Sequence, residues 1–227
     1  MKCGSFAKIK RLFYKNRSKL NRDIIFYLQN KIVPSYRKND KAHDLDHLHC
    51  VLKRSFSLAK QFGESLDYNI ICILAVFHDS KYHISMENHE KLAGEVLQGD
   101  KFLAIYYSEQ ERFKIKKILV EHDSKVDNKA ISIYAKILRT ADCTDSLNVV
   151  LKRLYEFRKA YFSEMSTNEK IEDSYKYMRV LYGKNGLDIN KHYFFEPKFD
   201  KMLKKAQFLI SDKKQFVSLF KKINHIK

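Results

Sequence analysis

The ten residues IICILAVFHD, at positions 70–79, join an unbroken apolar run to a histidine and an aspartate at its end. On pattern alone, the apolar run from Ile70 to Phe77 is compatible with a buried strand or a buried helix. No other segment has the pattern of a partner strand, and the chain contains only 6 Gly and 2 Pro. Sandwiches and barrels need many turns and therefore more of both residues. We predict a buried helix in an all-α protein.

Apolar periodicity extends the helical prediction along the chain. Ser108 followed by Glu111 has the pattern of a capping box, and Asp44 or Asp46 can cap an earlier helix. The segment 183–197, with two Gly and one Pro, is the predicted linker. We expect helices at about 22–33, 46–62, 66–79, 85–98, 108–122, 128–147, 148–163, 167–182 and 198–222.

Positive charge is concentrated at the two ends of the chain. The formal net charge is +17, of which residues 1–22 contribute +8 and residues 198–227 contribute +7. Attraction to nucleic acid or to an anionic membrane would therefore come from the termini, unless these are only a lysine-rich solvated surface. We divide the chain into a basic N-terminal helical segment (1–34), a core (35–150) and C-terminal helices with a basic tail (151–227).

Cysteine spacing and hydropathy limit the class of protein. The four cysteines form neither a zinc-ribbon nor a CxxC pattern, so we expect reduced thiols. The sequence has no apolar run of about 20 residues that would span a membrane, and it does not begin with the apolar core of a signal peptide. These features favour a cytoplasmic protein and leave its oligomeric state open.

Six polar residues lie where helical periodicity predicts positions that face the core. They are His47, His78, Asp79, His89, His122 and Asp142. One histidine on an apolar stripe is more often a satisfied core residue than a ligand, but these four lie on four different predicted helices. An unpaired buried carboxylate costs several kcal/mol, so Asp142 needs a cation. A metal bound by imidazoles and carboxylates inside a helical bundle would satisfy the whole set.

At these residues the chain resembles the HD-domain superfamily of metal-dependent phosphohydrolases. The signature of that superfamily is a His, then a His-Asp pair, then a distant Asp. This chain has AHDLDHLHCV at 42–51, ILAVFHDSKY at 73–82 and ILRTADCTDSL at 137–147. The resemblance covers about residues 36–148. It implies an HD-domain helical bundle, here with a C-terminal helical extension.

The resemblance also implies a set of metal ligands. A single-metal site would use the signature residues His47, His78, Asp79 and Asp142. Two-metal members have further ligands where this chain has His89 and His122, so we predict a dinuclear centre bridged by Asp79. Histidines with carboxylates suit Mn or Fe better than an all-oxygen Mg site. The predicted cofactor is one or two divalent transition metal ions.

The implied reaction is hydrolysis of phosphate esters, with a nucleotide or other phosphorylated small molecule as substrate, by metal-activated water. Asp79 and Lys81 are the predicted catalytic residues. The predicted phosphate contacts are Lys81, Lys53 and Arg54, and the groups predicted to orient ligands are His43, Asp46 and Asp145. The chain departs from the family pattern where Cys50 and Val51 replace a common Arg-Val, which removes one phosphate-contacting arginine. It also lacks the Gly-Tyr-Pro motif of cyclic-di-GMP phosphodiesterases.

Two other functions remain open at this point. Some HD-fold proteins with the same six ligands are di-iron oxygenases, which iron content and O2 dependence would distinguish from hydrolases. The other alternative is a non-catalytic HD module that binds nucleotide or nucleic acid through the basic ends. The intact set of ligands argues against the second, because a binding module has no reason to retain buried acids.

Overall fold

The computed structural model describes residues 3–122 and 132–226. Within these ranges the regular structure is helical and no strand occurs, so the all-α prediction is confirmed. The chain forms two compact units, one of Met1–Asn39 with His43–Asp142 and one of Asp40–Ala42 with Cys143–Lys227. Across the described residues, no helix has both the length and the apolar character needed to cross a bilayer.

The first unit contains seven α-helices within its described residues. They are α1 (Cys3–Lys15), α2 (Arg22–Tyr27), α3 (Leu45–Ala59), α4 (Tyr68–Phe77), α5 (His89–Gln98), α6 (Glu109–Glu121) and α7 (Ile133–Asp142). Helix α3 packs against α1, α4 and α7, while α6 packs against α5. A π-helical turn (Leu28–Ile32) and a 3-10 turn (Val33–Arg37) lie between α2 and α3.

Helix α4 is the apolar run of the sequence, and it forms the centre of this unit. Its residues from Ile71 to Phe77 are at most 2% exposed. A helix that is apolar on all sides has no face for solvent, which is why its sequence shows no polar stripe. Burying each large aliphatic side chain contributes about 1.5–3 kcal/mol. The helix ends at Phe77, so His78 and Asp79 are held at its buried end.

Side-chain caps fix where these helices begin. The Asp44 carboxylate accepts hydrogen bonds from the backbone amides of Asp46 (2.8 Å) and His47 (3.4 Å), so Asp44 rather than Asp46 is the cap of α3. The predicted capping box of α6 is present, with both the Ser108 and the Glu111 side chains bonded to backbone amides. Such caps satisfy amides that have no partner within the helix.

Several predicted helix boundaries in the first unit differ from the structure. The helix predicted at 85–98 begins only at His89, after a series of turns. The helix predicted at 22–33 is regular only to Tyr27 and then widens into the π-helical turn. Pro34 has no amide hydrogen to bond the preceding turn, which favours the change to the short 3-10 turn.

The second unit consists of α8 (Leu147–Tyr161), α9 (Thr167–Tyr182), α10 (Leu187–Asn190), α11 (Pro197–Ser211) and α12 (Lys213–Asn224). Its core is formed by apolar side chains such as Leu151, Met178, Phe199, Phe216 and Phe220. The predicted linker at 183–197 contains α10. The helix predicted at 198–222 is divided at Asp212, whose side chain caps α12 by accepting the Gln215 amide at 3.1 Å. Of the helix predicted at 128–147, residues 128–131 lie outside the described ranges, and its described part ends as α7 at Asp142 rather than at residue 147.

Candidate metal centre

The ends of four helices of the first unit bring polar side chains to one place. His47 lies in the first turn of α3, His78 and Asp79 directly follow α4, His89 begins α5, and Asp142 ends α7. His78 is fully buried, and Asp79 is 4% exposed. Because each side chain comes from a helix terminus, the packing of the helices fixes its position.

His47 is the meeting point of the four signature residues. Its Nε2 lies 3.2 Å from His78 Nε2, 3.2 Å from Asp79 Oδ2 and 3.1 Å from Asp142 Oδ1. His78 Nε2 is in turn 3.2 Å from Asp79 Oδ2. The donor atoms of His47, His78 and Asp79 all lie within 4.8 Å of one another. This buried His-His-Asp group could hold a metal ion.

The spacing of these atoms fits a shared coordination shell. Nitrogen and oxygen ligands bind ions such as zinc at 2.0–2.2 Å, so two ligands of one ion at 90–110° lie about 3.0–3.4 Å apart. The distances of 3.1–3.2 Å among these donors fall in that range. The donors are imidazole nitrogens and carboxylate oxygens, which suit transition metal ions.

Three histidines are held in the tautomer that a metal needs. In each, Nδ1 lies within hydrogen-bond distance of the carbonyl oxygen three residues earlier: His78 with Ala75 (2.8 Å), His89 with Met86 (2.9 Å) and His122 with Leu119 (2.5 Å). A carbonyl only accepts, so Nδ1 carries the hydrogen. In the neutral ring, Nε2 then presents its lone pair to the centre.

Electrostatic interactions shift the pKa values of several members of the cluster. Burial would raise the pKa of Asp79, but the charge of His78 and hydrogen bonds from His47, His78 and His89 hold it well below its usual range. Burial opposes the shift of His78 as well, yet the Asp79 charge raises the pKa of His78 to about 9. Burial, together with the charge of His78, lowers the pKa of His122 to about 4. The buried carboxylate therefore favours positive charge at His78, and a metal ion would provide the same stabilisation.

Two residues that the sequence analysis missed hold the His78-Asp79 pair in place. The hydroxyl of Tyr36, which is fully buried, donates to the Val76 carbonyl and accepts the Asp79 amide, both at 3.1 Å. The Asn39 side-chain amide donates to the Asp79 carbonyl at 2.9 Å. Tyr36 lies in the 3-10 turn after α2 and Asn39 follows that turn, in a region where no helical periodicity marks a buried position.

His89 and His122 approach the cluster from different sides. His89 Nε2 lies 3.2 Å from Asp79 Oδ1, the oxygen that does not face His47 and His78. His122 is 5% exposed, and its ring stands edge-on to that of His78 with centroids 5.9 Å apart. Both histidines are therefore buried beside the signature residues. Their role as ligands of a second metal stays a prediction.

The cationic residues predicted to contact phosphate occupy three different environments. Lys81 is half-buried in the turn that follows Asp79, and Lys53 is exposed on α3. Arg54 is buried and donates to the carbonyl of Ala141 at 3.3 Å. Of the three, Lys81 lies nearest to the cluster along the chain.

The residues predicted to orient ligands also lie in different surroundings. The His43 ring stacks on Tyr82 with centroids 3.7 Å apart and stands edge-on to His47 at 5.9 Å. Asp46 accepts a hydrogen bond from the Ser5 hydroxyl of α1 at 2.6 Å. Asp145 belongs to the second unit, in the segment before α8. His43 thus lies against a candidate ligand.

Comparison of the chain with family models, with curated proteins and with solved structures finds no significant match.

Proposed function

We propose that this chain is a metal-dependent phosphohydrolase of the HD-domain type, acting on phosphate esters such as nucleotides. The observation that carries the proposal is the meeting of the signature residues. His47, the His78-Asp79 pair and Asp142 come from three separate parts of the sequence, yet His47 Nε2 lies 3.1–3.2 Å from a donor atom of each of the other three. Their order and residue types are those of the HD signature, and their burial suits a metal centre rather than a solvated surface.

The chain's own residues have separate tasks in this proposal. His47, His78, Asp79 and Asp142 would hold the ion, and Asp79 would bridge to a second one. A bound divalent ion would activate water as a nucleophile and offset charge on the phosphoryl oxygens. Lys81, in the turn after Asp79, would pair with a phosphate oxygen of the substrate. Tyr36 and Asn39 would keep the Asp79 backbone fixed while its carboxylate binds.

The test is release of inorganic phosphate from a panel of nucleoside phosphates. Purified protein is stripped with EDTA and then assayed with and without Mn²⁺. We expect hydrolysis only after metal is restored. The variant His47→Gln should lower the rate by more than about 100-fold, because loss of a ligand exceeds the 10–100-fold effect typical of groups that only orient one.

A matched control lies on the same helix. His49 is two residues beyond His47, is half-buried, and lies beside Lys8 and Lys53. The variant His49→Gln should retain the rate of the wild type. Metal-dependent consumption of O2 without phosphate release would replace the proposal with an oxygenase. Nucleotide binding without turnover would replace it with a binding module.

A further inference from the structure

We propose that Glu90 is a metal ligand, which forms a second metal position together with His89 and one oxygen of Asp79. The inference rests on the metal centre of the proposed function but not on the reaction catalysed there. Helical periodicity does not select Glu90, because the residue lies one position beyond His89 on the α5 stripe.

The first step is the orientation of the Asp79 carboxylate. Its Oδ2 lies 3.2 Å from both His47 Nε2 and His78 Nε2, whereas its Oδ1 lies 3.2 Å from His89 Nε2. The two oxygens therefore face two different groups of nitrogen donors. A carboxylate in this arrangement can bridge two ions, so the second group marks a second position.

The second step is the contact between His89 and Glu90. His89 Nε2 lies 3.1 Å from Glu90 Oε1. Neighbouring residues of a helix point in different directions around its axis, so their side chains do not normally meet. Here both turn toward the same point, and their side chains are only 11% and 14% exposed. An acidic residue that merely favoured the start of α5 would have no reason to turn inward.

His89 Nε2, Asp79 Oδ1 and Glu90 Oε1 are all potential ligand atoms. His89 Nδ1 lies 2.9 Å from the Met86 carbonyl, so the neutral ring presents a lone pair at Nε2. That lone pair faces two carboxylate oxygens, one from Asp79 and one from Glu90, at 3.2 and 3.1 Å. Because lone pairs this close repel one another, a cation beside His89 Nε2 would stabilise the arrangement. The two distances from His89 Nε2 equal those between neighbouring ligands of one ion, about 3.0–3.4 Å.

A proton on His89 Nε2 is the other cation that would satisfy this arrangement. Glu90 would then form an ion pair with an imidazolium and would not bind metal. The two arrangements predict different metal stoichiometry, which calorimetric titration of EDTA-stripped protein with Mn²⁺ measures directly.

For the wild type, we expect two Mn²⁺ per chain. The variant Glu90→Gln keeps the size and hydrogen-bonding capacity of the side chain but removes its charge. It should weaken the second site by at least about 10-fold and leave the first unchanged. The matched control is Glu87→Gln, because Glu87 precedes α5 and is exposed. It should bind both ions as the wild type does.

A double variant separates shared from independent roles. If His89 and Glu90 bind the same ion, His89→Gln with Glu90→Gln should lose no more of the second site than His89→Gln alone. Circular dichroism verifies folding. Should Glu90→Gln fail to fold, Glu90→Asp keeps the charge but shortens the reach, and it should also weaken the second site.

The possible failures are distinguishable. Two Mn²⁺ bound with unchanged affinity in folded Glu90→Gln would overturn the role of Glu90 and leave the proposed function standing. One Mn²⁺ in both proteins would likewise overturn it, with a single-metal hydrolase remaining. No Mn²⁺ bound to the wild type would overturn this inference together with the proposed function.

Discussion

Replacing Tyr36 with Phe removes one oxygen from the wall of the metal centre. That oxygen accepts the Asp79 amide and donates to the Val76 carbonyl, both at 3.1 Å, in a position with no solvent exposure. A buried polar group that loses its partner costs about 1–3 kcal/mol. Tyr36→Phe leaves two such groups without a partner, and their two costs do not add fully because the groups share one site. We therefore expect the variant to destabilise the first unit by about 2–4 kcal/mol.

The assay is denaturant unfolding in the presence of EDTA, so that bound metal does not contribute to stability. Hydrogen exchange of the Asp79 amide provides a local measurement and should accelerate in the variant. Mn²⁺ affinity should also fall about 10–100-fold, because Tyr36 positions the Asp79 backbone. The control is Tyr106→Phe, since the Tyr106 hydroxyl donates to Asp23 at 3.0 Å near the surface. We expect it to change stability by no more than about 0.5 kcal/mol.

If folded Tyr36→Phe unfolds at the wild-type denaturant concentration and binds Mn²⁺ with wild-type affinity, Tyr36 neither stabilises nor positions the Asp79 backbone. That result would mean that neighbouring groups or water replace the hydroxyl. Loss of Mn²⁺ affinity without loss of stability would retain the positioning role but refute the energetic estimate.

Two further predictions concern His122 and the basic surface. His122→Ala should lower metal content toward one per chain and reduce turnover by orders of magnitude, as measured by elemental analysis and phosphate release. His225→Ala, in the basic tail, is the control and should change neither. Unchanged metal content in His122→Ala would make His122 a packed core residue. Reversing the exposed charges of α1 with Lys10→Glu, Arg11→Glu and Lys15→Glu should weaken binding to a polyanion such as heparin and reduce its salt dependence, without affecting turnover of a small phosphate ester. A loss of turnover in that variant would place α1 within the active site.

The sequence predicts the helical class and much of the cluster because both depend on local patterns. The run from Ile70 to Phe77 is too apolar to leave a solvent face, and its burial as α4 follows. His47, His78 and Asp142 continue apolar stripes, and a buried polar residue on such a stripe needs a partner. The structure supplies those partners at 3.1–3.2 Å.

The residues that the sequence does not reveal lie where periodicity stops. Tyr36 lies in the 3-10 turn and Asn39 just after it, so their positions belong to no repeating pattern. Glu90 has the sequence context of an ordinary acid in the first turn of a helix, where the helix dipole favours it. The predicted helix ends are wrong for a related reason. His89 rather than residue 85 begins α5, because the turns before it depend on tertiary contacts such as the hydrogen bond between Asn39 and the His83 amide at 3.1 Å.

The position of the candidate ligands at helix ends has a physical cause. The last carbonyls of a helix have no amide partner within it. Ala75, near the end of α4, uses its carbonyl to accept the Nδ1 hydrogen of His78, and Leu119 of α6 does the same for His122. One helix terminus thus fixes both the position of a histidine and the nitrogen that it presents. Within a helix, the carbonyl three residues before a histidine is already bonded to a backbone amide. A histidine that directly follows an apolar helix is therefore a better indication of a metal ligand than a histidine in the middle of an apolar helix face.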